Sequence, residues 1–294
     1  MDYLVRAIGE DGKIMVYVAK TTELVEKARE IHNASPTAIA ALGRALTLVS
    51  IMGKMLKGKE RVSLQIIGDG PLGGIFVDAD ALGNVRGYLK RPYIDLPPTE
   101  DGKLDVAKAV GQNGIISVIR DLGLKESYRG YTNLVSGTIA KDLAYYFTTS
   151  EQQPSAVAAG VYVDKNGKVA SAGGYIVQVS PDLDNSIISK IENNILSLEP
   201  PSKLIFEGVK PEEIVNLILK DIEKVIFHPE EIRYACRCSR TKAENVLLAL
   251  GEKELYDLIN KQEITEVRCE FCGTKYIFTS KDLEELIKIL KNKN

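Results

Sequence analysis

The residues in this chain best suited to chemistry are its four cysteines. Cys236 and Cys238 stand one residue apart in "RYACRCSRTK", and Cys269 and Cys272 follow in "VRCEFCGTKY" after 30 intervening residues. The first 235 residues contain no thiol. Thiolates suit zinc, which takes four ligands in a tetrahedron. Cys-x-x-Cys-Gly is the common knuckle, because Gly273 permits the tight backbone turn after the second sulfur. Cys-x-Cys is the unusual half. It can chelate a metal, but one intervening residue also leaves the two sulfurs close enough to oxidise together. Arg233, Arg237, Arg240 and Arg268 lie near the sulfurs in sequence and favour the thiolate form.

Several readings of the cysteines compete. A static zinc staple for a small module is one, and a nucleic-acid-binding zinc module is another. Residues 231–294 carry 12 basic and 11 acidic side chains, so no basic footprint supports nucleic acid. An iron–sulfur cluster fits a Cys-x-Cys half poorly. A thiol–disulfide oxidoreductase needs a Cys-x-x-Cys opening a helix after a strand, and none is predicted here.

Other motifs carry less. "GKMLKGKE", Gly53 to Glu60, matches seven positions of a phosphate-binding loop, but Glu60 replaces the Ser or Thr that reaches Mg²⁺. "GDGPLGG" reads as a turn between strands. His32 sits near a predicted helix end, where solvation is the expected state. His228 precedes Cys236 by eight residues and is a weak alternative ligand. Two histidines and no Gly-x-Ser-x-Gly elbow leave little basis for a hydrolase, and no enzyme is expected.

The chain that positions the cysteines has 294 residues, 45% hydrophobic and 27% charged, with a formal charge of −2. That composition buries a core and gives no global electrostatic case for nucleic acid or an anionic membrane. The N-terminal residues show no secretory pattern, and "TAIAALGRALTLVSIMGKML" is interrupted by Arg44 and Lys54, so it is read as a buried amphipathic helix. A cytoplasmic location, where thiols stay reduced, is expected, and a four-cysteine cluster there points to metal or redox chemistry.

The pattern predicts an α+β fold. "YLVRAIGEDGKIMVYVAKT" is a hairpin, "TTELVEKAREIHN" and "SPTAIAALGRALTLVSIMGKML" are helices, and Ser35 and Pro36 open the second. Strands follow in "RVSLQIIGDG", "GGIFVDAD", "NVRGYLKR" and "NGIISVIRDL". A helix covers "SGTIAKDLAYYFTTSEQ", and "SAVAAGVYVDKNGKVASAGGYIVQV" is a hairpin turning on Lys165-Asn166-Gly167. Strand runs not strictly interleaved with helices indicate antiparallel sheets. Residues 1–178 form this N-terminal domain. Residues 179–230 read as a helical linker. One apolar face carries Leu183, Ile187, Ile191, Ile195 and Leu198. A second helix, "KPEEIVNLILKDIEKVIF", carries Ile214, Leu217, Ile218 and Ile222. Residues 231–294 form a small C-terminal cysteine module with helices in "KAENVLLALG", "EKELYDLINKQ" and "SKDLEELIKILKN".

"YACRCSRTKAENVLLALGEKEL" with "VRCEFCGTKYIF" resembles the heat shock protein 33 family of redox-regulated holdase chaperones. "GDGPLGGIFVDADALGNVRGYLKRP" and "SGTIAKDLAYYFTTSEQQPSAVAAGVYVDKNGKVASAGGYIVQVSP" are similar to that family's segments, and the likeness runs nearly the whole length. The resemblance implies one zinc per chain held by Cys236, Cys238, Cys269 and Cys272 in a reduced, inactive form. It implies that oxidants pair Cys236 with Cys238 and Cys269 with Cys272, that zinc leaves, and that linker and module unfold. The activated protein is then expected to dimerise and to hold unfolding client proteins without ATP. A constitutive zinc-stabilised binding protein without a switch is the alternative.

Overall fold

Alternation of apolar and polar residues builds most of the first unit. The computed structural model describes residues 1–291. β1 (Tyr3–Gly9) and β2 (Ile14–Lys20) form the first hairpin. α1 (Thr22–His32) and α2 (Pro36–Lys54) follow. Next come β3 (Arg61–Gly68), β4 (Ile75–Asp80), β5 (Asn84–Leu89), α3 (Val106–Val110), β6 (Gly114–Asp121), β7 (Tyr128–Asn133) and α4 (Ala140–Thr149). β8 (Ser155–Val163) and β9 (Val169–Val179) close a hairpin in which the Asp164 carboxylate accepts from the backbone of Asn166 and Lys168. The α+β expectation holds: five of these strands pair antiparallel in the order β5-β4-β3-β6-β7, and β1-β2-β9-β8 do the same in a second sheet.

α2 is the common floor of both sheets. Ile39, Leu42, Leu46, Val49 and Met52 pack in one core with Leu64 and Val77 of one sheet and Leu4 and Ile176 of the other. It is buried on nearly every side and not amphipathic, with Pro36, Arg44 and Lys54 the exceptions. Ser35 precedes the helix without capping it: its Oγ accepts from the Ile94 backbone N–H at 3.2 Å instead.

Three short helices follow: α5 (Asn185–Leu196), α6 (Pro201–Phe206) and α7 (Pro211–Ile218). They lie on the face of the β1-β2-β9 sheet opposite α2. Val5, Val16, Val18 and Val177 pack there with Ile191, Leu204, Ile214 and Ile218. Adjacent residues Leu4 and Tyr17 belong to the α2 side, as expected for side chains alternating across a strand. With both faces covered, β2 reads as the near-continuous apolar run "IMVYVA".

The predicted second linker helix is too long. It stops at Ile218, because Asp221 takes a left-handed backbone (φ 56°) and the β-branched "KVI" becomes a strand. Leu217 is 41% exposed, while Val215 and Leu219 are buried in its place. Beyond the turn, β10 (Lys224–Ile226) and β11 (Glu230–Glu231) pair with β1, and β12 (Arg233–Tyr234) pairs parallel with β5. This compact unit ends at Ala235 and a second begins at Cys236.

The second unit has its own small core. α8 (Arg240–Leu250), α9 (Glu252–Lys261), the hairpin β13 (Ile264–Arg268) and β14 (Lys275–Thr279), and α10 (Ser280–Lys291) bury Leu247, Leu255, Phe278, Leu283 and Ile287. The predicted last helix extended to Asn292, which lies outside the described residues.

Candidate metal centre

Two local structures carry the cysteines. Cys236 and Cys238 lie in extended chain just before α8, whose first turn is capped by Ser239 accepting from the Lys242 N–H. Cys269 and Cys272 lie on the turn between β13 and β14. There the Gly273 N–H donates to the Cys269 carbonyl at 2.8 Å and the Cys269 N–H to Thr274 at 2.9 Å. Gly273 has φ 71°, the left-handed conformation the knuckle requires.

All four Sγ atoms lie within 4.8 Å of one another. Cys236 and Cys269 are 3.7 Å apart at sulfur, and Cys238 and Cys272 are 3.4 Å apart. Zn–S bonds of about 2.3 Å place tetrahedral sulfurs about 3.8 Å from each other, so the cluster has the dimensions of a four-thiolate site. No histidine belongs to this group among the described residues, so His228 is not in the cluster.

Electrostatics also favour a cation. Burial pushes the Cys269 thiol up to about 12 and raises Cys272 as well. Burial acts the same way on Cys238, but hydrogen bonds from the Tyr276 hydroxyl and the neighbouring cysteines outweigh it and bring that thiol down to about 7. The hydrogen bond to Cys238 in turn pushes Tyr276 up to about 12. The Cys238 thiolate is thus favoured, while Cys269 and Cys272 are held as thiols by burial first and by neighbouring cysteines second. A divalent cation overcomes both effects, because a coordinating thiol is deprotonated outright.

Two residues that sequence reading did not single out tune these sulfurs. Tyr276 donates to Cys238 Sγ at 3.1 Å, and Thr274 Oγ1 lies 3.1 Å from Cys272 Sγ. Both stand in "CGTKY", immediately after the knuckle, which is the one signal that could have found them. No arginine is among the leading influences on these thiols. Arg240 binds Asp282 at 2.9 Å and stacks over Phe278, and Arg233 binds Asn84 in the first unit. His32 is half-exposed and also tied to the fold: its Nε2 lies 2.8 Å from the Gly87 carbonyl. The Gly53–Glu60 stretch runs out of α2 into β3, the reverse of a phosphate loop, and Glu60 only closes a turn by accepting from the Lys57 N–H.

An α+β unit carrying a short helical connector, followed by a module whose four cysteines are placed so that they could hold a metal ion, defines the class of protein. The profile of the Hsp33 protein family matches residues 2–279. The 33 kDa chaperonin of Thermoanaerobacter sp. (strain X514) is 45% identical over 289 residues, covering 98% of each chain. The Bacillus subtilis (strain 168) 33 kDa chaperonin is 43% identical, covering 97% of this chain and 98% of its own. The crystal structure of the Thermotoga maritima 33 kDa chaperonin superposes with a TM-score of 0.92 at 40% identity, covering 99% of both chains. The chain belongs to the Hsp33 family.

Proposed function

We propose that the protein is a redox-regulated, ATP-independent holdase: zinc-bound and inactive when reduced, active toward unfolding proteins when oxidised. The observation that carries this reading is the thiol cluster itself, four sulfurs within 4.8 Å of one another in a chain with no other cysteine. Its functional parts are a client-binding domain (1–178), a releasable linker (179–230) and a redox module (231–294), acting in the cytoplasm and dimerising on activation.

The ligands are Cys236, Cys238, Cys269 and Cys272. Bound zinc supplies the positive charge that lets four thiolates share one small volume, and so cross-links the extended Cys236–Cys238 segment to the hairpin. The module's core is small, and modules of this size are marginal without a staple. Zinc sites supply on the order of 10 kcal/mol to such folds.

Oxidation converts each pair of thiolates to a disulfide, and one hydrogen peroxide takes up the two electrons, with two protons from solvent, to give two waters. The pairing decides the outcome. Cys236–Cys238 and Cys269–Cys272 bonds close loops of a few residues and restrain the chain little. Cys236–Cys269 and Cys238–Cys272 bonds would keep the cross-link. The near-neighbour pairing therefore releases the module. Without its downstream anchor the linker leaves the sheet, and Val5, Val16, Val18, Tyr175 and Val177 become an apolar surface for clients.

The test is light scattering from an aggregating client, with reduced and with peroxide-treated protein, while zinc release and disulfide pairing are followed in the same samples. Suppression only after oxidation, with near-neighbour disulfides and about one zinc released per chain, is expected. Equal suppression by the reduced, zinc-loaded protein would make the cluster a static staple and reject the switch.

A further inference from the structure

The end of the linker does more than cover a face. Residues 224–235 run as an extended strap that closes one edge of each sheet in turn. β10 and β11 pair with β1 through Ala7–Ile226, Ile8–Val225 and Tyr3–Glu231. β12 then pairs with β5 through Arg233–Asn84 and Tyr234–Val85. The bonds are largely backbone to backbone. The Phe227 N–H donates to the Arg6 carbonyl at 2.8 Å, Arg233 to Gly83 at 2.9 Å, and Ala235 to Val85 at 2.9 Å.

At Gly83 the seat admits only bare main chain. A Cβ on Gly83 would lie 2.4 Å from the Glu231 carbonyl oxygen. Between the two pairings a single side chain, Ile232, is driven into the core, 2% exposed. Ala235 is followed directly by Cys236, so the strap is the stretch of chain to which the first cysteine is joined.

We propose that the edges of β1 and β5 are themselves client sites, and that an extended segment of an unfolding protein replaces the strap by adding as a strand to each. This rests on the redox reading above, which supplies the release. The present occupant identifies the chemistry of the next: an extended backbone with an apolar side chain to fill the Ile232 pocket, flanked by apolar or aromatic residues for the half-buried places of Ile226 and Tyr234. Main-chain hydrogen bonds are the same for every sequence, so such edges bind by conformation, with side chains adding little selectivity. An unfolding protein offers extended apolar segments and a folded one does not. That is the discrimination a holdase needs, and an apolar sheet face alone does not provide it.

Hydrogen–deuterium exchange on the full-length protein tests this, with client aggregation followed in the same samples. Peptides covering Tyr3–Gly9 and Asn84–Leu89 are compared with one covering β7, the opposite edge of the β5 sheet. Oxidation without client should speed exchange of the edge-facing amides of β1 and β5 at least ~10-fold, the kinetic trace of losing a local closure. Adding a thermally unfolding client should restore their protection and leave β7 unchanged. Ile232→Asp, which expels the strap without touching a cysteine, should let reduced protein show the same client-dependent protection. Aggregation suppressed with no protection regained on β1 and β5, or regained only on β7, overturns the edge inference and leaves the holdase reading intact. No suppression by oxidised protein overturns both.

Discussion

Lys54, at the end of α2, binds Glu230 at 2.9 Å, and only 8% of the lysine side chain is exposed. The pair joins the buried central helix to the strap just before β12. The Glu230 carboxylate is 44% exposed, so water screens the pair, and Lys54 keeps a bond to the Ala81 carbonyl when Glu230 is removed. Glu230→Ala should therefore loosen residues 224–235 by only about 0.5–1 kcal/mol. Their amide exchange should be roughly 2–5-fold faster in reduced protein, since 1.4 kcal/mol is a factor of ten. Unchanged exchange would show that backbone pairing alone holds the strap.

The linker helices offer a matched comparison. Ile214 is fully buried against β1 and β2, whereas Leu217, three residues on, is 41% exposed. Ile214→Ala should cost about 2–4 kcal/mol through lost burial and a cavity, and Leu217→Ala should stay within about 0.5 kcal/mol. Denaturant midpoints of the first unit in reduced protein measure both. Comparable losses at the two sites would mean that α7 packs differently in solution.

Metal removal should act on one unit only. Chelation, or replacement of all four cysteines by Ser, is expected to abolish the helicity and exchange protection of α8 to α10, whose core is a handful of residues. The protection of α2 and of β3, β4 and β6 should be unchanged. A module that stays folded without metal would remove the energetic basis of the switch.

Stability should rise as the medium is acidified from pH 7 towards 4, through Asp2. Its carboxyl accepts from the Leu24 N–H at 2.7 Å, and among the described residues its Oδ1 has no hydrogen-bond partner. Burial pushes its pKa up to about 6 from 3.8. The folded state thus binds the proton more tightly than the unfolded state. The ionised carboxylate weakens the fold above pH 6, and the penalty disappears as pH falls towards 3.8. Two pKa units correspond to ~3 kcal/mol. Asp2→Asn should flatten the pH dependence of the thermal midpoint across that window. An unchanged slope would assign it to other carboxylates.

What sequence reading captured and missed follows from range. The four cysteines were legible because their spacing is local and their chemistry belongs to the residue type. The hairpins at Glu10–Gly12 and Lys165–Gly167 were legible because turn chemistry is local too. The strap was not. "KVI", "EE" and "RY" are two or three residues long, and they become strands only because β1 and β5 offer them an edge. The over-extended helix has the same origin: the apolar period continues past Ile218, but the chain turns at Asp221 to reach a partner far away in sequence. Leu217 fitted the helical stripe and still faces outward, since the sheet beneath α7 accepts Ile214, Val215 and Ile218.

The strap also sets a schedule for making the protein. Ala7 and Ile226 are paired across about 220 residues of chain. At synthesis rates of about 5–20 residues per second, β1 waits roughly 10–40 s for the segment that closes its edge. The central helix and β2 are available almost at once, and β9 well before the end, so the sheet can assemble with its border still open. Contacts of such long sequence separation form late. Every newborn copy therefore passes through a state in which the strap has not yet arrived, and that nascent state has the same open border as the proposed oxidised one.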